Sequence, residues 1–270
     1  MAQAKETLLP PVRPNAGFEA EYRRRLTKLV AEMQASVVYW ISAAYRANEP
    51  EMAQDESPAR LLERRMRGLS RRWQRRFDRA SDELARFFAT GAADRTDAQL
   101  KSILKRAGIS VEFRISRGVN DVVQAAVAEN VQLIKSIPQQ YLLQVHGSVM
   151  RSVQTGRDLA GLVKEIDGHY GVTRRRAERI ARDQTNKATS AVHDARRTEI
   201  GITEADWLHS GGGKHPRPTH VAMHGKRYKI AEGMWDPAVK KYSVPRMHGD
   251  EPAEVEEIAR GGQCSPHARG

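Results

Sequence analysis

Four side chains stand at spacings that metal chemistry can use. His220 and His224 are four residues apart, so a helical turn puts both imidazoles on one face. Cys264 and His267 form a Cys-x-x-His pair farther along the chain. Together the pairs supply one thiolate and three imidazoles, a donor set that closes a tetrahedral zinc site. His215 and His248 are substitutes in the same stretch. The long gap between the pairs means that the chain must fold back before they meet. The same histidines also fit a metal-dependent nuclease, in which a divalent ion activates water beside a carboxylate. Asp206 and Asp236 are available for that role, but neither stands at a recognisable catalytic spacing. No residue is assigned a catalytic role on this basis.

Other catalytic patterns are missing. There is no Walker-type phosphate loop, no GxGxxG after a strand and no GxSxG. The run Gly211-Gly212-Gly213-Lys214 lacks the Ser/Thr and the following helix of a phosphate cradle, so it reads as a turn. The other chemistry on offer is electrostatic. Between Arg60 and Arg79 lie nine arginines against only Glu63 and Asp78, a local charge of +7. Arg64, Arg65, Arg71, Arg72, Arg75 and Arg76 are the candidates for binding nucleic acid or an acidic partner, through guanidinium forks that match phosphate or carboxylate. Trp73 and Phe77 lie on the apolar stripe of the same stretch and are expected to seat it on a core. The plainer reading is a solvated face whose Arg stems cover apolar surface.

The elements that must position these groups are mainly helices. Pro10, Pro11 and Pro14 favour an extended arm over residues 1–16, disordered or laid against a partner. From Phe18 to Ala47 apolar residues recur at helical steps, and a second helix starts near Ser57-Pro58. Breaks are expected at Gly91 and at Asp94–Asp97, with a short helix then running to a Gly108 cap. Ile109–Ile115 is a short strand or an extended connector. Another helix opens at Asn120 or Asp121 and is interrupted at Pro138, with further helices punctuated by Gly147, Gly156 and Gly168. After Gly171 one more helix, Thr173–Ile200, leads into a stretch rich in Gly, Pro, His and Trp that suits short strands. The acidic run from Asp250 suits one last short helix. The fold class is therefore α+β. An elongated, mainly α-helical N-terminal region over 17–168 precedes a small α+β domain over 169–270.

Bulk properties bound the function. The excess of 45 Lys+Arg over 33 Asp+Glu gives +12, which draws a chain to phosphate polymers or acidic proteins. Cys264 is the only cysteine, so no intrachain disulfide forms and a reducing, cytoplasm-like compartment is expected. No apolar run reaches the roughly 18 residues of a membrane span, and the first residues lack a signal-peptide core.

Read in order, the C-terminal hundred residues resemble the bacteriophage Mu protein F-like family of head morphogenesis, or minor head, proteins. Arg176, Ala177, Ile180, Ala181 and Arg182 match the family's Arg-Ala-x-x-Ile-Ala-Arg helix. That helix continues through Ala188 and Ala191 to Arg196, Glu199 and Gly201. Trp207 follows as the family's tryptophan. Arg217, His220 and Gly225 match its Arg-x-x-His-x-x-x-x-Gly pattern, and Tyr228 lies in the expected strand. Two positions depart from the pattern. Gln184 stands where the family commonly has Glu, and Cys264-Ser-Pro-His267 replaces a Cys-x-Cys.

The resemblance implies a virion protein, assembled in the host cytoplasm and present in few copies. It would associate with the portal, with the major capsid or scaffold protein and double-stranded DNA as further partners. Its work would be head assembly, DNA packaging or ejection. It is not expected to be an enzyme. Arg182, Trp207, Arg217 and His220 are then expected to form a polar core that fixes helix against strands. Zinc is the one cofactor the residues suggest.

Overall fold

The computed structural model describes residues 8–47, 57–208 and 221–230, together with the backbone of three short strands at 234–236, 241–243 and 265–269. Four long helices dominate: α1 (Ala16–Ala47), α2 (Pro58–Arg106), α3 (Arg117–Gln154) and α4 (Leu159–Glu199). The described strands are β1 (Glu204–Leu208), β2 (Arg227–Lys229), β3 (Met234–Asp236), β4 (Lys241–Ser243) and β5 (Ser265–Arg269). The chain is thus mostly helical, and every described strand lies after residue 203. The acidic run from Asp250 lies outside the described residues.

The helices are fewer and longer than the breakers in the sequence suggest. Gly91 and Asp94–Asp97 stay inside α2, because Phe88, Ala89, Ala92, Thr96 and Leu100 are buried along that stretch. A helical glycine costs about 1 kcal/mol against alanine, and burying one Phe or Leu side chain offsets about 1.5–3 kcal/mol. Pro138 likewise sits within α3 and is buried there. The carbonyls on either side of Ile134, the acceptor that proline leaves without a helical donor, receive side-chain hydrogen bonds: Ser136 Oγ donates to the Leu133 carbonyl at 2.6 Å and Gln74 Nε2 donates to the Lys135 carbonyl at 3.4 Å. Gly147 and Gly168 also lie within helices, and α4 begins at Leu159 rather than Thr173. Ile109–Ile115 is a connector, not a strand.

Where helices do stop, they stop for a shared reason. After α2, the N–H of Ile109 donates to the Leu104 carbonyl at 2.9 Å across Gly108, whose φ is 80°. After α4, Ile202 donates to Arg197 at 2.9 Å across Gly201, with φ 73°. Both are glycine-dependent Schellman ends, and Ile202 tucks its side chain inward as that motif favours.

The start of α4 carries a testable compensation. Asp158 caps it, its Oδ1 accepting the Gly161 N–H at 3.0 Å, and a Cβ on Gly161 would stand 2.3 Å from Asp158 Oδ2. Asp158→Ala is expected to cost about 1 kcal/mol as a lost N-cap. Gly161→Ala should be near neutral in the native chain, because the helix propensity it gains is cancelled by the displaced cap. In the Asp158→Ala background the same change should stabilise. Urea melts of the four proteins check this, and additive effects would contradict it.

The chain divides into two compact units, one of residues 17–88 and 126–184, the other of 1–16, 89–125 and 185–270. In the first, α1 and parts of α2, α3 and α4 enclose one apolar core that includes Leu26, Val30, Met66, Phe77, Ile134 and Val145. Two polar layers cross it. Tyr22 donates to Asn130 Oδ1 at 2.9 Å, Asn130 Nδ2 donates to Gln184 Oε1 at 3.1 Å, and Gln184 Nε2 donates to Glu129 Oε1 at 2.8 Å. In the other layer Tyr141 donates to Gln34, whose Nε2 donates to Asp167 Oδ1 at 2.7 Å. Burial raises both tyrosine pKa values, so these hydroxyls remain donors. Each buried polar atom needs its partner, which fixes the register of the helices more sharply than apolar contacts do.

The second unit holds the sheets. β1 lies between β2 and β5, antiparallel to both, with Ala205 opposite Tyr228 on one side and Ala268 on the other. β3 and β4 form a separate antiparallel pair. The proline-bearing arm belongs to this unit: Leu9 and Val12 are buried in a cluster with Leu100, Ile103, Leu104 and Ile202. The Arg13 N–H also donates to Gln99 Oε1 at 3.1 Å, so from Leu9 onward the arm is anchored rather than disordered.

Candidate functional site

The C-terminal turns of α4 carry the densest polar chemistry among the described residues. Thr185, Thr189, Val192 and Arg196 follow at helical spacing, so the inward face of α4 turns polar where the strands begin. The Arg196 side chain is only 3% exposed, yet it is satisfied on every side. Its Nε and Nη2 donate to the two oxygens of Asp97 at 2.8 and 2.6 Å. Its Nη1 donates to Glu199 Oε2 at 2.9 Å and to the Arg114 carbonyl at 2.8 Å. The guanidinium stands 4.7 Å from the Phe113 ring centroid.

Asp97, ahead of Glu199, holds Arg196 still more firmly protonated than an ordinary arginine. Burial pushes the Glu199 carboxyl up, but hydrogen bonds from Ser116 and Arg196 outweigh it and hold the group below its usual range. Ser116 also caps α3 by accepting the Val119 N–H at 3.2 Å. One arginine thereby ties together α2, the 109–116 connector, the start of α3 and the end of α4.

Beside it, Arg197 pairs with Asp194 at 2.8 Å, and its positive charge acts on the Tyr228 hydroxyl of β2. Burial pushes the Tyr228 hydroxyl up to about 12. His193 lies one turn before Arg197, and burial, with help from the Arg197 charge, lowers its pKa to about 4. The imidazole is therefore neutral at physiological pH. Ala205, Trp207, Met223 and Tyr228 form the apolar face beneath. Arg227 reaches Asp206 at 3.4 Å and Glu204 at 3.6 Å across the β1–β2 pair. This assembly clamps helix to sheet: Arg196 is fully paired, whereas Arg197 keeps two buried guanidinium nitrogens, Nε and Nη1, without a hydrogen-bond partner among the described residues.

The polar core expected from the sequence has this location but other members. Trp207 is buried as expected. Arg182 is not: its side chain is 63% exposed, 3.9 Å from Asp183. The inward face there is Ala177, Ile180, Ala181 and Gln184, and residue 182 falls off that arc. Arg217 and His220 lie outside the described residues. Arg196, Arg197 and His193 take the part foreseen for Arg182. Their signal was present as polar residues continuing an alanine stripe at unbroken helical spacing.

Of the four metal candidates, His220 and Cys264 lie outside the described residues. His224 is exposed, in the turn whose Gly225 N–H donates to the Trp207 carbonyl at 2.8 Å. His267 pairs by backbone with Asp206 in the β1–β5 ladder. The C-terminal strand thus folds back onto β1, as the metal reading requires. Among the described residues no group of three or more His, Cys, Asp or Glu is placed to hold a metal ion.

A Ser–His–Glu grouping occurs elsewhere without nucleophile geometry. Ser148 Oγ is 2.9 Å from His169 Nε2, and Glu165 Oε1 is 3.8 Å from that same nitrogen, so no carboxylate orients the far side of the ring. Ser148 is fully buried and also receives a hydrogen bond from Arg151.

The arginine candidates on α2 all face outward. Arg76 pairs with Glu32, and its guanidinium stands 5.2 Å from the Trp73 ring, while that of Arg65 stands 5.1 Å from Trp40. Trp73 and Phe77 are buried, and Trp73 Nε1 donates to Ser36 Oγ at 3.1 Å, so they seat the helix as expected. No described helix is long and apolar enough to cross a membrane.

Comparison with known proteins bears on this site directly. Residues 143–249, which contain all of α4 and β1 to β4, match the model for phage Mu protein F-like proteins. A curated protein of Haemophilus influenzae (strain ATCC 51907 / DSM 11121 / KW20 / Rd), described as uncharacterized, is 35% identical over 164 residues. That alignment covers 57% of this chain, and the chain spans 35% of the relative's length. No solved structure matches.

Proposed function

We propose, from the match of residues 143–249 to the model for phage Mu protein F-like proteins, that the chain is a minor head protein of a tailed bacteriophage. In this reading it resides in the virion after assembly in the host cytoplasm. It associates with the portal, and with capsid or scaffold protein, and acts in head assembly, DNA packaging or ejection. The family match carries the proposal. The site is compatible with it, since Arg196 organises the matched region around a fully paired buried charge and, among the described residues, the clamp brings no activated nucleophile to the surface. The test is co-expression with the portal protein of the same phage, followed by purification on a tag carried by the portal. The chain is expected to co-purify in a complex that survives gel filtration. Divalent-metal-dependent DNA cleavage that is lost in His220→Ala would replace this reading with the nuclease.

We also propose that His220, His224, Cys264 and His267 hold a structural zinc ion. The return of β5 to β1 supports it, because it carries His267 to the strand that the His224 turn joins. Metal analysis of the purified full chain should give close to one zinc per protein, and much less in Cys264→Ala. Equal metal content in the two proteins would contradict the site.

A further inference from the structure

We infer that the outward face of α2 is a sequence-independent binding surface for double-stranded DNA. Arg60, Arg64, Arg67, Arg71, Arg75 and Arg79 follow one another at steps of three or four residues, so they form a single row along the helix. The row lies opposite the stripe of Leu62, Met66, Leu69, Trp73 and Phe77, which is buried, and all six arginines are exposed. Arg65, Arg72 and Arg76 flank the row on one side, which widens the positive surface. At a rise of about 1.5 Å per residue the row is about 28 Å long. Asp82 and Glu83, both exposed, mark where the sign of the charge changes.

Among the described residues, four of the six arginines of the row, Arg60, Arg71, Arg75 and Arg79, have no carboxylate partner, whereas Arg67 leans on Glu63 at 3.4 Å and Arg76 beside the row pairs with Glu32. Such a density of unneutralised like charge destabilises the free chain and is relieved by a polyanion.

Two kinds of polyanion would serve, a duplex or an acidic protein surface, and the composition of the face separates them. Protein interfaces are anchored by apolar or aromatic side chains at their centre. The large hydrophobic residues exposed on this chain include none from α2. A surface that is purely polar and strongly cationic is the composition of a DNA contact. A duplex also presents a phosphate about every 1.7 Å of axis, so a straight row of cations meets a continuous anion lattice with no register to satisfy. The row spans about eight base pairs on the 3.4 Å spacing of one strand. All nine cations are arginine, and the planar fork grips phosphate oxygens in pairs.

This inference goes beyond the head-protein reading and does not depend on it. The test is fluorescence anisotropy of full-length protein with labelled 30-base-pair duplexes of unrelated sequence, over a range of salt concentrations. Arg71, Arg75 and Arg79 are changed to Gln together. Arg174, Arg175 and Arg179 of α4, changed to Gln together, give a charge-matched control. Thermal melts by circular dichroism confirm that both variants remain folded. The α2 variant should lose about tenfold or more in affinity at 0.1 M salt. Its salt dependence should flatten by about 0.9 log units per phosphate contact removed, while the control stays close to the native protein. Equal losses in both variants would reduce the effect to bulk charge and overturn the proposal, as would an unchanged α2 variant. Polyglutamate competing as well as unlabelled duplex at equal charge would assign the face to an acidic protein instead.

Discussion

Replacing Arg196 with alanine is expected to destabilise the unit that contains the sheet by about 3–5 kcal/mol, the usual result of breaking a buried ion pair from one side. The loss is large because the two carboxylates remain. Asp97 would lose both donors of a bidentate pair, and Glu199 would keep only Ser116. The Arg114 carbonyl would lose the donor that holds the connector to α4. Arg196→Met, which restores apolar volume but no donors, should recover little, since the cost lies in the stranded acceptors rather than in a cavity.

A double-mutant cycle separates the contributions. Asp97→Ala together with Arg196→Ala should cost clearly less than the sum of the single changes, with a coupling of about 1–3 kcal/mol. Urea denaturation followed by Trp fluorescence reads this, because Trp207 lies in the same unit. Additive losses would mean that the pair seen at 2.6 and 2.8 Å contributes nothing in solution.

Acid should act on the same unit through His193. Its folded pKa is about 4, against an ordinary 6.5, so the folded state resists the proton that the unfolded chain accepts. The stability contributed by the neutral imidazole is complete above pH 6.5, declines as pH falls, and is lost by about pH 4. A shift of this size corresponds to about 3 kcal/mol. The lowered carboxylates, Glu199 and Glu165, titrate below the ordinary carboxylate value of 4.5, so the interval between pH 6.5 and 4.5 belongs to histidine. Unfolding free energies measured across that interval should fall steeply in the native chain and less steeply in His193→Gln. Parallel curves would show that His193 is protonated in the folded protein, contrary to its burial beside Arg197.

The order of elements was readable from residue spacing because apolar periodicity reports burial directly. Phe18 to Ala47 and the stripe from Leu62 to Phe77 follow from it, whereas the switch to strands after Ile200 follows from the Gly, Pro, His and Trp content of that stretch. Element boundaries were less legible where a breaker competed with packing. Gly91 and Pro138 carry local penalties that the sequence displays openly, whereas the compensating burial of Phe88 or Leu100 depends on partners far away in the chain. The candidate site divides in the same way. Trp207 is legible as the tryptophan that follows the Arg-Ala-x-x-Ile-Ala-Arg helix in the resembled family, and it is buried in β1. The burial of Arg196 and His193 is not legible from spacing alone, since a buried arginine differs from an exposed one only through Asp97, ninety-nine residues earlier. Arg182 was chosen for its place in a motif, and one helical step carried it outside the buried arc.

The most direct test of the central proposal is an asymmetric cryo-microscopy reconstruction of purified phage particles, combined with quantitative mass spectrometry of the same sample. A portal-associated minor head protein should appear as density at the single portal vertex that accommodates the four helices, in far fewer copies than the major capsid protein. Particles that lack the chain, or that carry it throughout the capsid lattice, would contradict the proposal.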